Sequence, residues 1–198
     1  NFWLYGWSAV AFLVLSNDIV FLLFGESYVL DFSVVFILAV NYYTVGMQSA
    51  IWTYKNTLGL FNYGKYLTLI TGIINIILSI LLGQKLGLFG IFFATFISRL
   101  LTNLWYDPYA VFKYGLKANI RLYLLRYLYF IFILIIEYIF IKFLISMFAF
   151  NDQIILNFLM KLIICVTIPN IINILFFFKT KECQYVFYKF ESLIKLKK

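Results

Sequence analysis

The sequence has no histidine, two prolines, two cysteines and only eight acidic residues among 198. Each shortage removes a class of chemistry. Without histidine there is no imidazole base and no His-containing metal site. Cys165 and Cys183 are too far apart for a CxxC centre. They read as one core thiol and one interfacial thiol rather than a structural disulfide. Charged residues make up 12% of the chain, about half of the ~25% usual in soluble domains. Hydrophobic side chains make up 65% and aromatic ones 22%, with a mean hydropathy of +0.97. At about 20 apolar residues per crossing, the chain has room for roughly six membrane spans and none for a soluble catalytic domain.

Six apolar runs are separated by Gly, Asp, Asn and Pro positions. They cover residues 3–24, 32–52, 66–82, 86–106, 122–150 and 154–178, followed by a basic tail at 179–198. Gly83-Gln84-Lys85 leaves a very short turn, so the third and fourth runs are expected to be antiparallel neighbours. Asp107-Pro108 is expected to end the fourth run, because proline lacks a donor and restricts its predecessor. Barrel strands would be about ten residues long and alternate apolar with polar. Ile73-Ile74-Asn75-Ile76-Ile77-Leu78 does not alternate. The expected fold is therefore an all-α polytopic bundle of six transmembrane helices. No charged leader precedes Phe2-Trp3-Leu4-Tyr5, and the chain begins at Asn1. It reads as a C-terminal fragment, with further protein upstream.

The net charge of +8 is explained by position. Lys55, Lys65, Lys113, Lys117, Arg121, Arg126, Lys179, Lys181, Lys189, Lys195, Lys197 and Lys198 fall in alternate connections or the tail, whereas the opposite connections hold only Lys85. The positive-inside rule makes the basic side and the C-terminus cytoplasmic, and no nucleic-acid partner is expected. Residues 109–120 and the stretch from Val186 onward suit helices lying on the inner leaflet. A solvated tail fits the latter equally well.

Charges at membrane depth need a partner or a wet path. Arg99, Glu137, Lys142 and Lys161 are at that depth. Glu137 is expected to pair with Lys161 or with Arg99, while Lys142 lies near enough to the outer surface to snorkel. Two roles stay open for these charges: buried structural ion pairs, or a cationic site in a transport cavity. Uncharged polar residues form stripes: Asn41, Thr44 and Gln48; Thr68, Thr71, Asn75 and Ser79; Thr95 and Asn103 flanking Arg99. Such stripes line a common aqueous cavity or act as interhelical glue. Gly90, Ala94 and Ser98 form a small-residue ridge for close packing. Pro169 should kink the sixth helix and free a carbonyl that neighbours must satisfy, as a static bend or as a hinge.

Gly59-Leu60-Phe61, the segment Asn75 to Gly83 and the segment Gly87 to Ser98 resemble the bacterial polysaccharide repeat-unit flippases. These are the Wzx-type branch of the multidrug/oligosaccharidyl-lipid/polysaccharide (MOP) exporter superfamily. Gly25-Glu26-Ser27-Tyr28 and Trp105-Tyr106-Asp107-Pro108 with Lys113 are similar to the segments flanking that block, so the resemblance covers roughly residues 1–115. It implies part of the C-terminal lobe of a MATE-like transporter that alternates its cavity between membrane faces. The cargo of such proteins is undecaprenyl-diphosphate-linked oligosaccharide, moved to the outer leaflet of the bacterial cytoplasmic (inner) membrane. The implied partners are this cargo, membrane lipids, an upstream N-terminal lobe and other polysaccharide assembly proteins. No cofactor, metal or catalytic residue is implied. From depth and charge, Arg99, Asn75, Asn41, Gln48 and Asn103 are the candidate cavity residues, and Pro169 the candidate hinge. The competing readings are a multidrug or lipid-precursor exporter of the same superfamily, a polysaccharide polymerase or acyltransferase, and a non-transporting scaffold subunit. The second class normally carries a large outer loop with catalytic side chains, which these short connections do not offer.

Overall fold

A computed structural model describes residues 1–148, 153–180, 183–185 and 189. Among them the chain is helical with no strand: α1 (Phe2–Phe24), α2 (Phe32–Thr57), α3 (Leu67–Leu101), α4 (Asn103–Ala110), α5 (Arg121–Met147) and α6 (Ile154–Phe177). Five helices are long and apolar enough to cross a membrane, the third continuing through α4. Residues 149–152, where the fifth apolar run gives way to the sixth, lie outside the described residues, as does most of the tail.

Polar side chains set the bends. The Asn17 amide donates to the Leu30 carbonyl at 2.8 Å and its oxygen accepts the Leu30 N–H at 3.3 Å. This staples the link from α1 to α2. α3 is two arms rather than one rod, because Gly87 (φ 58°, ψ −138°) reverses the chain. That combination is open to glycine and closed to residues with a β-carbon. The expected antiparallel pair is therefore present, with its reversal at Gly87 and not at Gly83-Gln84-Lys85, which stay helical. Across the pair the Thr71 and Thr102 hydroxyls lie 2.7 Å apart. The Asn75 amide donates to Thr95 Oγ1 at 3.0 Å. Gly90, Ala94 and Ser98 are buried, as a packing ridge should be.

The break after the second arm differs from the expectation. It falls at Thr102 (φ −125°, ψ −94°), and α4 then runs through Asp107-Pro108 to Ala110 before a π-helical turn at Val111–Gly115. The Thr102 hydroxyl donates back to the Ser98 carbonyl at 2.6 Å, a bond that competes with regular helix propagation.

α1 is central, packing on α2, α5 and α6, while α3 packs on α2. One core joins Phe2, Ala9, Tyr43, Met47 and Ile133; another joins Val10, Leu15, Ile141 and Cys165. The exterior is the reverse of a soluble protein. On α5, Leu122, Leu125, Leu128, Phe132, Ile135, Ile139 and Phe143 are all exposed, and the buried residues are Ile133, Glu137 and Ile141. Apolar area on that scale is tolerated against hydrocarbon but not against water. Leu60 and Val111 share a small core at one end with Ile51, so the connections carrying Lys65 and Lys113 sit at the same end of the bundle.

Pro169 lies inside α6 and is buried. Having no N–H, it leaves the carbonyl four residues back, that of Cys165, without its helical donor. Trp7 Nε1 on α1 donates to that oxygen at 2.7 Å, and Trp3 Nε1, one turn earlier, donates to Asn170 Oδ1 at 2.7 Å. Two indoles thus clamp α1 onto the proline turn. Trp7→Phe keeps most of the ring volume and removes the donor, so it should lower stability by about 1–3 kcal/mol. Adding Pro169→Ala restores a main-chain donor and should recover much of that loss. Thermal unfolding of the four proteins of this cycle in detergent checks it; equal losses with and without the proline would refute the assigned role.

Candidate functional site

A cavity of about 690 Å³ lies between α2, both arms of α3 and α4. Gln48, Trp52, Lys55, Asn56, Thr68, Thr71, Asn75, Thr95, Ser98, Arg99, Asn103 and Asp107 line it, with Phe61, Gly64 and Lys65 from the connection after α2. Helical spacing explains the lining. Thr68, Thr71 and Asn75 recur every three to four residues on the first arm, as Thr95 and Arg99 do on the second, so each set occupies one face, and Asn103 joins them from beyond the break at Thr102. The hairpin at Gly87 then turns the two faces toward each other. The two roles left open for these stripes are combined: Asn75 and Thr95 are bonded across the hairpin and still line the cavity.

The charges in the cavity are unequal. Lys55 Nζ reaches Asp107 Oδ1 at 2.7 Å, and Trp52 Nε1 donates to Asp107 Oδ2 at 3.1 Å. Asp107 is 4% exposed, so this pair is a buried tie between α2 and α4. Arg99 is half-buried and has no ion-pair or hydrogen-bond partner among the described residues. Lys65 sits over the Tyr66 ring, 4.9 Å from its centroid. Among the described residues the cavity thus presents two cations without carboxylate partners, Arg99 and Lys65. A guanidinium in a partly dry cavity suits an anion with paired oxygens, a phosphate or carboxylate, which it meets through two parallel N–H donors.

Of the sequence-derived cavity residues, Gln48, Asn75, Arg99 and Asn103 line this space. Asn41 stands apart: its amide donates to the Phe92 carbonyl at 2.9 Å and to the Ile37 carbonyl at 3.0 Å, joining α2 to the second arm. Pro169 is on α6, which contributes nothing to the cavity lining.

The intramembrane charge pair needs correction. Lys161 is not the partner of Glu137. Its Nζ lies 2.7 Å from Asp18 Oδ2 on α1. The register of the two helices decides: Tyr129 and Phe130 of α5 meet Phe176 and Phe177 of α6, which sets Glu137 level with Pro169, about two turns from Lys161. Asp18 also sits at membrane depth and completes the set of charges there. Arg99 is not the partner either, since it faces the cavity. Glu137 is 0% exposed, and neither carboxyl oxygen has a hydrogen-bond partner among the described residues. Lys142 is exposed. Lys55, Lys65 and Asp107 belong to the site but were counted as loop charges or a helix stop, because nothing in a linear pattern turns a loop charge inward.

The fold and the cavity define a class: an all-helical bundle, suited by helix length and apolarity to a multi-pass membrane protein, with a polar hollow among its spans. No protein-family model, no curated protein and no solved structure matches the chain.

Proposed function

We propose that the chain is part of a flippase that moves undecaprenyl-diphosphate-linked oligosaccharide repeat units across the bacterial cytoplasmic membrane by alternating access, without making or breaking bonds. The observation that carries this reading is Arg99, without an ion-pair partner among the described residues, in a polar cavity within an apolar bundle. A diphosphate is the part of such a cargo that a guanidinium selects, while the sugars suit the surrounding Asn, Gln and Thr side chains. The polyprenyl tail would remain in lipid against the apolar exterior. The basic end would face the cytoplasm, so that the cavity would admit substrate at Lys65 from the leaflet where it is made. The resemblance adds an upstream N-terminal lobe and polysaccharide assembly proteins as partners. Pro169 would serve as a hinge only if the Trp7 bond to Cys165 is exchanged during the cycle.

A deletion strain tests this. Surface polysaccharide should disappear, lipid-linked repeat units should accumulate on the cytoplasmic leaflet, and the full-length gene should reverse both. Accumulation of flipped but unpolymerised units would instead favour a polymerase. Unchanged polysaccharide with altered drug efflux would favour the multidrug branch.

A further inference from the structure

A second hollow, open and about 500 Å³ in volume, lies where α4 passes through its π-helical turn toward α5. Tyr109, Phe112, Lys113, Lys117, Asn119 and Ile120 are in its lining, and it shares no residue with the cavity beside Arg99. The segment that forms it is held in place. Ala110 and Val111 are buried, the Tyr114 ring stacks on Tyr63 at 4.1 Å, and the Phe112 ring meets Tyr123 of α5 at 5.4 Å. The Leu116 N–H donates to the Val111 carbonyl at 2.9 Å and the Ala118 N–H to the Phe112 carbonyl at 3.0 Å, which curls this stretch into a closed loop.

The charge on the loop is of one sign. Lys113 Nζ donates to the Tyr109 hydroxyl and lies over the Tyr109 and Tyr114 rings, 4.9 and 5.4 Å from their centroids. That leaves ammonium donors to spare. Lys117 is exposed and in no ion pair among the described residues. It is also held at φ 51°, a left-handed conformation that costs a residue with a β-carbon free energy. Asn119 Oδ1 accepts the Arg121 N–H at 2.9 Å, which fixes the side chain and leaves its amide nitrogen to donate. α5 then starts at Arg121 with no acidic residue in its first turn, although a helix N-terminus is its positive end. No carboxylate lines the hollow, and Asp107, the acidic residue preceding it, is held by Lys55 and Trp52. Positive groups gathered on a fixed loop repel one another until an anion joins them.

Lysine ammonium and amide N–H donors suit the compact, charge-dense oxygens of a phosphate. The setting says what carries it. Tyr63, Tyr109 and Tyr114 stand beside lysine at the end of the apolar spans, as aromatic residues do at headgroup depth. Leu116 and Leu122, on either side of the stretch from Lys117 to Arg121, are exposed. A soluble anion gains nothing from apolar flanks, whereas a phospholipid sets its phosphate on the lysines and its first acyl carbons on the leucines.

We propose that Lys113, Lys117 and Asn119 form a binding site for the phosphate of an anionic phospholipid in the leaflet at the basic end of the bundle. The site does not depend on the cargo proposed above, because it is separate from the Arg99 cavity.

The test follows the unfolding temperature of the purified full chain in detergent. The protein is titrated with dioleoylphosphatidylglycerol, with dioleoylphosphatidylcholine, which has the same acyl chains, and with glycerol 3-phosphate. Phosphatidylglycerol should give a saturable rise that the other two do not. Lys113→Gln combined with Lys117→Gln should abolish it. Lys179→Gln combined with Lys181→Gln removes the same charge from the tail and should keep it. A lysine near a membrane surface is worth about fivefold in affinity for anionic lipid, so Lys117→Gly should raise the titration midpoint about fivefold. That variant also guards against misfolding: glycine suits the positive φ, so without lipid it should unfold at the same temperature as the wild type or higher. An equal rise with glycerol 3-phosphate would make the ligand a soluble phosphate. That outcome overturns the proposal, as does an equal rise with phosphatidylcholine or an unmoved midpoint in Lys117→Gly.

Discussion

Gly90→Ala is expected to lower the unfolding temperature sharply and to leave less protein folded in the membrane. The two arms of α3 meet where Gly90 faces the main chain of the opposite arm, and a β-carbon there would overlap the Leu82 carbonyl and crowd the Leu86 side chain at 3.0 Å. The first obstacle is backbone, so no rotamer change relieves it. The arms have to separate, and with them the Thr71–Thr102 and Asn75–Thr95 bonds. Overpacking typically costs about 1–3 kcal/mol, and the lost polar bonds add to it. The intrinsic helical gain of alanine over glycine, roughly 0.8–1 kcal/mol, does not offset this. Gly72→Ala is the internal control. It is on the first arm with no atom within 4 Å of the added carbon, so it should be neutral or slightly stabilising. Comparing the two unfolding temperatures in detergent is the check, and equal behaviour would contradict the close approach of the arms.

Arg99→Gln is the second large effect, and it should act on transport while sparing the fold. Arg99 has no partner among the described residues whose loss would be felt. Removing it deletes charged hydrogen bonds to an anionic cargo, worth about 1.5–3 kcal/mol. That corresponds to roughly 10–100-fold in transport at limiting substrate. Arg99→Lys keeps the charge but loses the planar fork, so activity between the two is expected. The measurement is surface polysaccharide in a complemented deletion strain, normalised to the amount of membrane-inserted protein. Full export by Arg99→Gln would leave the scaffold reading standing.

Residue patterns made the helices legible because a spanning helix needs a long apolar run whatever its neighbours are. The run expected at 122–150 corresponds to Arg121–Met147, and that expected at 154–178 to Ile154–Phe177. Breaks were less legible. Pro108 looked like a stop, yet the local hydrogen bonds of Thr102 place the break six residues earlier. The reversal at Gly87 depends on a dihedral that only glycine tolerates, and Gly83 offered the same signal.

The candidate site was legible in its stripes, since Asn75, Arg99 and Asn103 recur at helical spacing. Its remaining members were not. Depth can be counted along a helix, but the direction a side chain takes depends on which helix lies beside it. This is why Asn41 became glue, whereas Lys161 met Asp18 rather than Glu137 because the register of α5 on α6 differs from the one counted from the turn. Trp7 as the donor to the carbonyl freed by Pro169 was similarly hidden. The proline announces an orphan oxygen, and only the placement of α1 against α6 says which side chain answers it.

The central claim is a polar cavity, opening at the basic end of an apolar bundle. Single cysteines at Asn75, Asn103 and, as a lipid-facing control, Ile135, in a background with Cys165 and Cys183 replaced, test it directly. In sealed membrane vesicles, a water-soluble, membrane-impermeant maleimide should label Asn75→Cys and Asn103→Cys from the same side that labels a cysteine at Lys65, and Ile135→Cys from neither side. Labelling of Asn75→Cys and Asn103→Cys from the opposite side only, or no labelling of either while Lys65→Cys reacts, would contradict the account.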